Sequence, residues 1–307
     1  LIFDKNIPYT ENMAKYVPDI QSRRWVIIST KRSSRPENTD EDHKAHTKKT
    51  GCPFCPGGEK GTPPEVFRIG KGAKDEKGWE VRVVANKYPI TDLHEVIIHS
   101  PHCDKDIENL PLSHVEMILK AYRERFNFYR KNGQVLIFCN HGEHAGASLS
   151  HPHSQLVVLP WQINLDTLVR EPLNNVVDNN KFYNVYCPEF SQWPYEAWVV
   201  PKKEGGFFGD INDLELGDLA QIMQKIIKQL EMIHKKNKIF HLPFGYNFYI
   251  YPKENWYMRI IPRFVHRAGF ELGTGLSVNV IDPYQASLEL KGVGLEVMGV
   301  LKKLKSY

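Results

Sequence analysis

The spacing of apolar and polar positions changes several times along this chain, and each change marks an element. RRWVIIST at 23–30, WEVRVVAN at 79–86 and HEVIIHS at 94–100 are β-branched and aromatic-rich runs separated by turn residues, which predicts strands. Between the first two lies a polar stretch rich in glycine and proline, Ser33 to Gly78, read as a long irregular loop of the kind that carries function or a metal. The period then lengthens. Val115, Ile118, Leu119, Tyr122, Phe126 and Tyr129 recur at helical spacing, with Ser113-His-Val-Glu116 as a capping box at the start and Asn132-Gly133 as the stop. QVLIFCN at 134–140 and SQLVVLP at 154–160 read as buried strands on either side of the loop HGEHAGASLSHPH.

About a hundred residues later the same order returns: EAWVVP at 196–201, a helix carrying Leu216, Leu219, Met223, Ile226, Leu230 and Ile233, then FGYNFYIYP and YMRIIPR. The chain reads as a duplication, divided into residues 1–175 and 176–307. Two copies of a strand, helix, two-strand unit pack most simply as an α+β protein with helices on antiparallel sheet, an arrangement that allows one sheet to continue across both halves. Laying Pro262 on Pro160 sets Asn255 opposite His153 and Tyr257 opposite Gln155, so the second copy lacks the histidines of the first.

Composition narrows the class. With 307 residues, 41% of them apolar and 25% charged, the chain can bury one large core or two ordinary ones. No run approaches the roughly 18 apolar residues of a membrane span, and the polar start lacks the apolar stretch of a secretion signal, so a cytoplasmic protein is expected. Forty Lys and Arg against 36 Asp and Glu give +4, too small an excess for a nucleic-acid-wrapping surface. Five cysteines form no extracellular disulfide framework and point to metal binding or buried thiols.

His151-Pro-His153-Ser-Gln155 places three polar side chains at alternate positions, which share one face of an extended segment. A neutral imidazole offers a nitrogen nucleophile, and the small residues Gly142, Gly146 and Ala147 leave room for backbone amides to approach phosphate oxygens. Asn140 and Ser148 add uncharged donors, so the segment reads as a phosphoryl- or nucleotidyl-transfer site. Gly51-Cys52-Pro-Phe-Cys55-Pro-Gly-Gly has the gap and turn composition of a zinc knuckle but supplies only two ligands; His102, Cys103 and His151 are candidates for the rest. Lys31-Arg32-Ser-Ser-Arg35 follows a strand and suits a diphosphate. Gly269-Phe-Glu-Leu-Gly-Thr-Gly275 lacks the context of a dinucleotide or P-loop site.

Taken together, the CPFC knuckle, the Asn140 to Gln155 segment, the WVIISTKRSSRP entry and the duplicated unit resemble the galactose-1-phosphate uridylyltransferase family, the transferase branch of the histidine-triad superfamily. Superfamily members that hydrolyse nucleotides have a third histidine where this chain has Gln155, and the transferases have glutamine. The resemblance implies that His153 is the nucleophile taking a nucleoside monophosphate from a nucleotide sugar, with Gln155 holding the phosphoryl group. It also implies a zinc ion on Cys52, Cys55 and His151, with Cys103 in register for the fourth ligand and His102 as its substitute. Asn86, Asn140, Gly146, Ala147 and Ser148 match nucleotide- and phosphate-binding positions, and Arg32 and Arg35 match arginines near the diphosphate. Phe270, Leu272, Gly273 and Thr274 match a segment that reaches the sugar nucleotide across a dimer interface, so a homodimer is expected.

Some relatives hold a second metal where this chain has Asn255 and Tyr257, and none is expected here. The implied reaction moves UMP from UDP-glucose to a hexose 1-phosphate, as in galactose metabolism, through a covalent nucleotidyl-histidine. The Phe-Glu-Leu-Gly-Thr-Gly run, Thr62-Pro-Pro-Glu65 and the His-Ser-Gln spelling are also similar to ADP-sugar phosphorylases, which transfer AMP to phosphate. A nucleotide-binding zinc protein without turnover is the reading from another class.

Overall fold

In the computed structural model, residues 14–19, 24–34, 51–165, 173–237 and 239–292 are described. Strands β1 (Lys15–Asp19) and β2 (Arg24–Ile28) pair with each other in a two-stranded antiparallel sheet separate from the main one. The main sheet has ten antiparallel strands: β3 (Glu65–Gly70), β4 (Trp79–Ala85), β5 (His94–Ile98), β6 (Gln134–His141), β7 (His153–Leu159), β8 (Val176–Asn179), β9 (Tyr183–Tyr186), β10 (Ala197–Pro201), β11 (Tyr246–Ile250) and β12 (Met258–Pro262). Their order is β3-β4-β5-β7-β6-β11-β12-β10-β9-β8. Read from either edge to the centre, the two halves run in the same order, and β6 meets β11 at the seam with Asn140 opposite Asn247.

Helices α1 (Leu112–Tyr129) and α2 (Asp213–Lys236) pack on one face of this sheet and against each other. The residues at helical spacing in the sequence are the buried ones: Val115, Ile118, Leu119, Tyr122, Phe126 and Tyr129 in α1, and Leu216, Leu219, Met223, Ile226, Leu230 and Ile233 in α2. Each such side chain taken from water contributes about 1.5–3 kcal/mol before the entropy of ordering it. Leu156 and Val158 of β7 and Met258 and Ile260 of β12 meet the helices in the same core.

The start of α2 is fixed by a capping box. Asn212 accepts from the Leu214 and Glu215 amides at 2.9 and 3.0 Å, and Glu215 accepts from the Asn212 amide at 2.7 Å. Helix α1 differs from expectation. It begins at Leu112 after Pro111 with no side-chain cap, and Ser113 lies inside the first turn, because proline already fixes the entry. The stretch read as irregular also contains strand β3. Its Glu65 and Arg68 look like solvent residues in sequence, yet Glu65 is buried against the Arg82 guanidinium at 3.0 Å.

Two short helices, α3 (Gly269–Thr274) and α4 (Pro283–Leu290), follow the last strand. Among the described residues, no helix is long and apolar enough to cross a membrane.

Candidate functional site

The first half carries its polar groups on the sheet face opposite the helices. Phe54, between the two knuckle cysteines, is the wedge that brings the knuckle there: it packs with Trp79, Val84, Val96 and Ile98. The turn closes through Cys55 N–H to Cys52 O at 3.2 Å and Gly58 N–H to Cys55 O at 2.9 Å. A Cβ on Gly58 would lie 2.5 Å from the Cys52 carbonyl oxygen, so only glycine permits this turn.

With the knuckle seated, Cys52 Sγ and Cys55 Sγ lie 3.6 and 3.5 Å from His151 Nδ1. Tetrahedral zinc with ordinary Zn–S and Zn–N bonds separates a sulfur and a nitrogen ligand by about 3.6 Å. The three donors therefore form a group able to hold a metal ion. His151 Nε2 is 2.9 Å from the Ser100 carbonyl, which takes the ring proton there and leaves the Nδ1 lone pair facing the thiols. Burial pulls the His151 imidazole down to about 4, so the ring is neutral, as a ligand must be. Burial, then the neighbouring Cys52 and Cys103 thiols, pushes the Cys55 thiol up to about 12. Cys103 thus adjoins Cys55, outside the three-donor group, while His102 is exposed and its backbone amide donates to Ser100 Oγ at 3.1 Å.

His153 opens β7, 8% exposed, edge-on to Phe54 with ring centroids 5.3 Å apart. Its Nδ1 donates to the His151 carbonyl at 2.8 Å, so Nε2 carries the lone pair. Two residues on, the Gln155 side-chain oxygen is 3.0 Å from His94 Nε2 and 3.3 Å from Asn86 Nδ2. His94 is a functional residue that motif reading passes over. Its Nδ1 accepts from the Ile90 amide at 2.9 Å, which places the proton on Nε2 and turns that nitrogen toward Gln155. The Gln155 NH2 group is thereby left as the end that can donate to a phosphoryl oxygen. Asn86 Oδ1 accepts from the Tyr88 amide at 2.8 Å, and Arg32 reaches the Tyr88 carbonyl at 3.5 Å, so Arg32, Asn86 and Gln155 adjoin. Arg35 lies outside the described residues.

The turn after β6 is braced from the other half. Asn247 Nδ2 donates to Asn140 Oδ1 and to the Ala145 carbonyl, both at 2.8 Å, and Arg263 donates to Asn247 Oδ1 at 2.9 Å. Holding the Asn140 oxygen directs its NH2 outward. Gly146 has φ 88°, the left-handed conformation that ends the short 3-10 turn Glu143–Ala145. The Gly146 and Ala147 amides are bonded to the carbonyls of Glu143 and Gly142 within that turn, at 2.7 and 3.2 Å. A cavity of about 230 Å³ is lined by His153, Asn140, Ala147 and His151 on one side and by His99, Asp106, His141 and Tyr246 on the other.

Of the remaining candidates, Phe270, Leu272, Gly273 and Thr274 lie in α3, apart from that cavity, with Phe270 and Leu272 56% and 78% exposed. Of the two positions matched to the second metal of some relatives, Asn255 accepts from the Gly205 amide at 2.8 Å through its side-chain oxygen, and the other is aromatic. Tyr257 is stacked between Trp198 and Tyr251 at 4.2 and 4.8 Å.

Residues 37–161 match a family described as the N-terminal domain of a domain of unknown function, DUF4931. ADP-glucose phosphorylase of Arabidopsis thaliana is 27% identical over 90% of this chain and 92% of its own length. Galactose-1-phosphate uridylyltransferase of Thermotoga maritima is 21% identical over 89% of this chain and 96% of its own. The crystal structure of the Arabidopsis enzyme with bound ADP-glucose superposes with a TM-score of 0.66, 25% identity and coverage of 91% of this chain and 98% of that one. A uridylyltransferase structure gives a TM-score of 0.68 at 20% identity, covering 93% of this chain and all of its own, and so speaks for the fold. Over about nine-tenths of its length the chain is thus similar to ADP-glucose phosphorylase of Arabidopsis and to the Thermotoga galactose-1-phosphate uridylyltransferase, and it shares the α+β fold of the superposed structures.

Proposed function

We propose that the protein is a nucleotidyltransferase that carries a nucleoside monophosphate on His153. The observation that carries this reading is the His153 ring, tethered through Nδ1 to the His151 carbonyl, with Gln155 two residues away and its side-chain oxygen already bound. In the first step the Nε2 lone pair attacks the α-phosphorus of a nucleotide sugar; the bond from phosphorus to the bridging oxygen breaks, and the sugar 1-phosphate leaves with that electron pair. In the second, an oxygen of the acceptor attacks the same phosphorus and the N–P bond electrons return to Nε2.

Gln155 does not titrate near neutral pH, so it can hold the phosphoryl group without activating water, which favours transfer over hydrolysis. Asn140 and Ser148 donate to the nonbridging oxygens, and Arg32, with Arg35, serves the diphosphate. Cys52, Cys55, Cys103 and His151 suit a zinc ion, whose contribution when bound is to fix the knuckle and the segment leading into His153. Elemental analysis should find one zinc per chain, lost in Cys52→Ser together with several degrees of melting temperature.

UDP-glucose as donor and a hexose 1-phosphate as acceptor is the uridylyltransferase form of this reaction. The higher identity to the Arabidopsis ADP-glucose phosphorylase favours a second form, with AMP transferred to phosphate. Exposed Phe270, Leu272, Leu276, Val278 and Val280 support a homodimer in which this segment reaches the other subunit's sugar nucleotide. The strand order supports a division of the duplicated chain near residue 175.

Incubation with UDP-glucose or ADP-glucose, followed by intact mass measurement, tests the reading. A UMP or AMP adduct is expected in the parent protein and absent from His153→Ala; no adduct with either donor overturns it. Product analysis with phosphate or galactose 1-phosphate then separates the two forms.

A further inference from the structure

Beside the cavity that His153 lines, two carboxylates and an imidazole converge from two elements, and Asp106 and His141, though not Glu108, line that cavity. Asp106 and Glu108 flank Ile107 at the 3-10 turn Ile107–Asn109, and His141 ends β6. One donor atom from each lies within 4.8 Å of the others. A six-coordinate divalent ion with bonds of about 2.1–2.3 Å holds its donor atoms about 3 Å apart when adjacent and about 4.5 Å apart when opposite. The His141 Nε2 to Asp106 distance of 3.1 Å is that of adjacent ligands.

Buried glutamates on or beside the strands face arginines, whereas those off the sheet are held by neutral donors, Glu59 by Trp79 Nε1 and the Gly57 amide and Glu289 by Tyr195 and Gln285. Glu65, Glu95 and Glu196 each face an arginine, Arg82, Arg125 and Arg259, at 3.0, 2.6 and 2.7 Å. Glu108 is 2% exposed, and its described side-chain partner is the Tyr246 hydroxyl at 3.4 Å, with no guanidinium or ammonium.

His141 is held in place by stacking on Tyr246, with ring centroids 4.5 Å apart and planes 6° from parallel. Its Nε2 is 3.1 Å from Asp106, and its buried Nδ1 has no hydrogen-bond partner among the described residues. Two carboxylates against one imidazole leave negative charge in a low-dielectric place even when the ring is protonated. A dication removes that imbalance.

We propose that Asp106, Glu108 and His141 bind a divalent cation that favours oxygen and nitrogen ligands, of the Mn²⁺ type, separate from the thiolate group of the knuckle. Donor chemistry keeps the two places distinct, since soft thiolates select zinc whereas carboxylates select harder ions. Asp106 and His141 line the same cavity as His153, so open coordination positions would face the space beside that ring. The binding claim itself does not rest on the nucleotidyl-histidine reading.

The zinc-saturated protein is titrated with Mn²⁺ while the free-ion paramagnetic resonance signal is followed. One Mn²⁺ per chain is expected, weakened at least tenfold in Asp106→Asn and in Glu108→Gln, with zinc content and melting temperature recorded for each variant. A parent protein that takes up no stoichiometric Mn²⁺ overturns the proposal. So does a folded Glu108→Gln protein that binds as the parent does. Should Asp106→Asn fail to fold, those two measurements still decide.

Discussion

Strands β7 and β12 hold corresponding places in the two halves of the sheet, and their faces away from the helices have taken opposite courses. On β7 that face carries His153 and Gln155, with a cavity beside the first and a chain of side-chain hydrogen bonds behind the second. On β12 it carries Arg259, which grips Glu196 at 2.7 and 2.9 Å, and just before the strand Tyr257 is stacked between Trp198 and Tyr251. One face keeps polar groups at the edge of a space; the other fills the equivalent volume with rings. Binding and chemistry require unfilled polar volume, which a folding protein closes wherever nothing is to be bound.

Paired substitutions put that contrast under strain. His153→Ala should lower nucleotidyl transfer by more than about a thousandfold while shifting the melting temperature little, because the ring sits at the edge of a cavity. Tyr257→Ala, at the position opposite Gln155 in the second half, should do the reverse, costing about 3–4 kcal/mol in denaturant unfolding by opening a void in the stack, with activity lost only as the folded fraction falls. If Tyr257→Ala abolishes transfer in fully folded protein, the second half is more than support.

Smaller effects sharpen the picture within the first half. His94→Phe keeps a ring in place but removes the donor to Gln155, and should reduce kcat by about 10–100-fold, the usual weight of a side chain that orients a reacting one. Restoring a donor with His94→Asn should recover part of the loss, which a packing role would not predict.

The smallest effect concerns His99 on the helix face, bonded to Ser154 and Tyr122. Burial, then the nearby His153 and His151, holds its ring well below the ordinary imidazole range. The unfolded chain binds a proton near pH 6.5 that the folded chain refuses, so stability is complete above that value and declines as pH falls, by at most about 1.4 kcal/mol per unit. Urea midpoints at pH 7.5 and 5.5 should differ less in His99→Asn than in the parent protein.

Much of this architecture could be read from residue spacing. The two long helices bury the side chains that the 3.6-residue period selects, and the recurring strand, helix, two-strand order foretells a sheet whose halves repeat. The failures have physical causes. Strand β3 escaped because Glu65 and Arg68 are buried or half-buried through pairing with other charges rather than through apolarity. The two-stranded β1–β2 sheet escaped because nothing in RRWVIIST distinguishes an edge of the main sheet from a separate ribbon.

In the site, His151, His153 and Gln155 share a face by alternate spacing and Cys52 and Cys55 share a turn, while the pairing of His151 with thiols 99 and 96 positions away was legible through the resemblance to the uridylyltransferase family rather than through spacing. His94 and Asn247 were not. Each acts through another residue, and their partners lie 61 and 107 positions away in sequence. His94 left one trace: a titratable residue opening a strand that is buried throughout, held there by its two ring-nitrogen bonds.

The seam between β6 and β11 has a consequence for how such a duplicated protein can change. If the later copy were removed, the strand that leads into the Glu143–Ala145 turn would become an outermost strand with unpaired amides and carbonyls, inviting association with other chains. Asn140 would at the same time lose the amide that orients it. The copy without histidines is therefore retained as a mate for its sibling, and a shortened descendant would have to acquire a substitute for that mate before it could dispense with it.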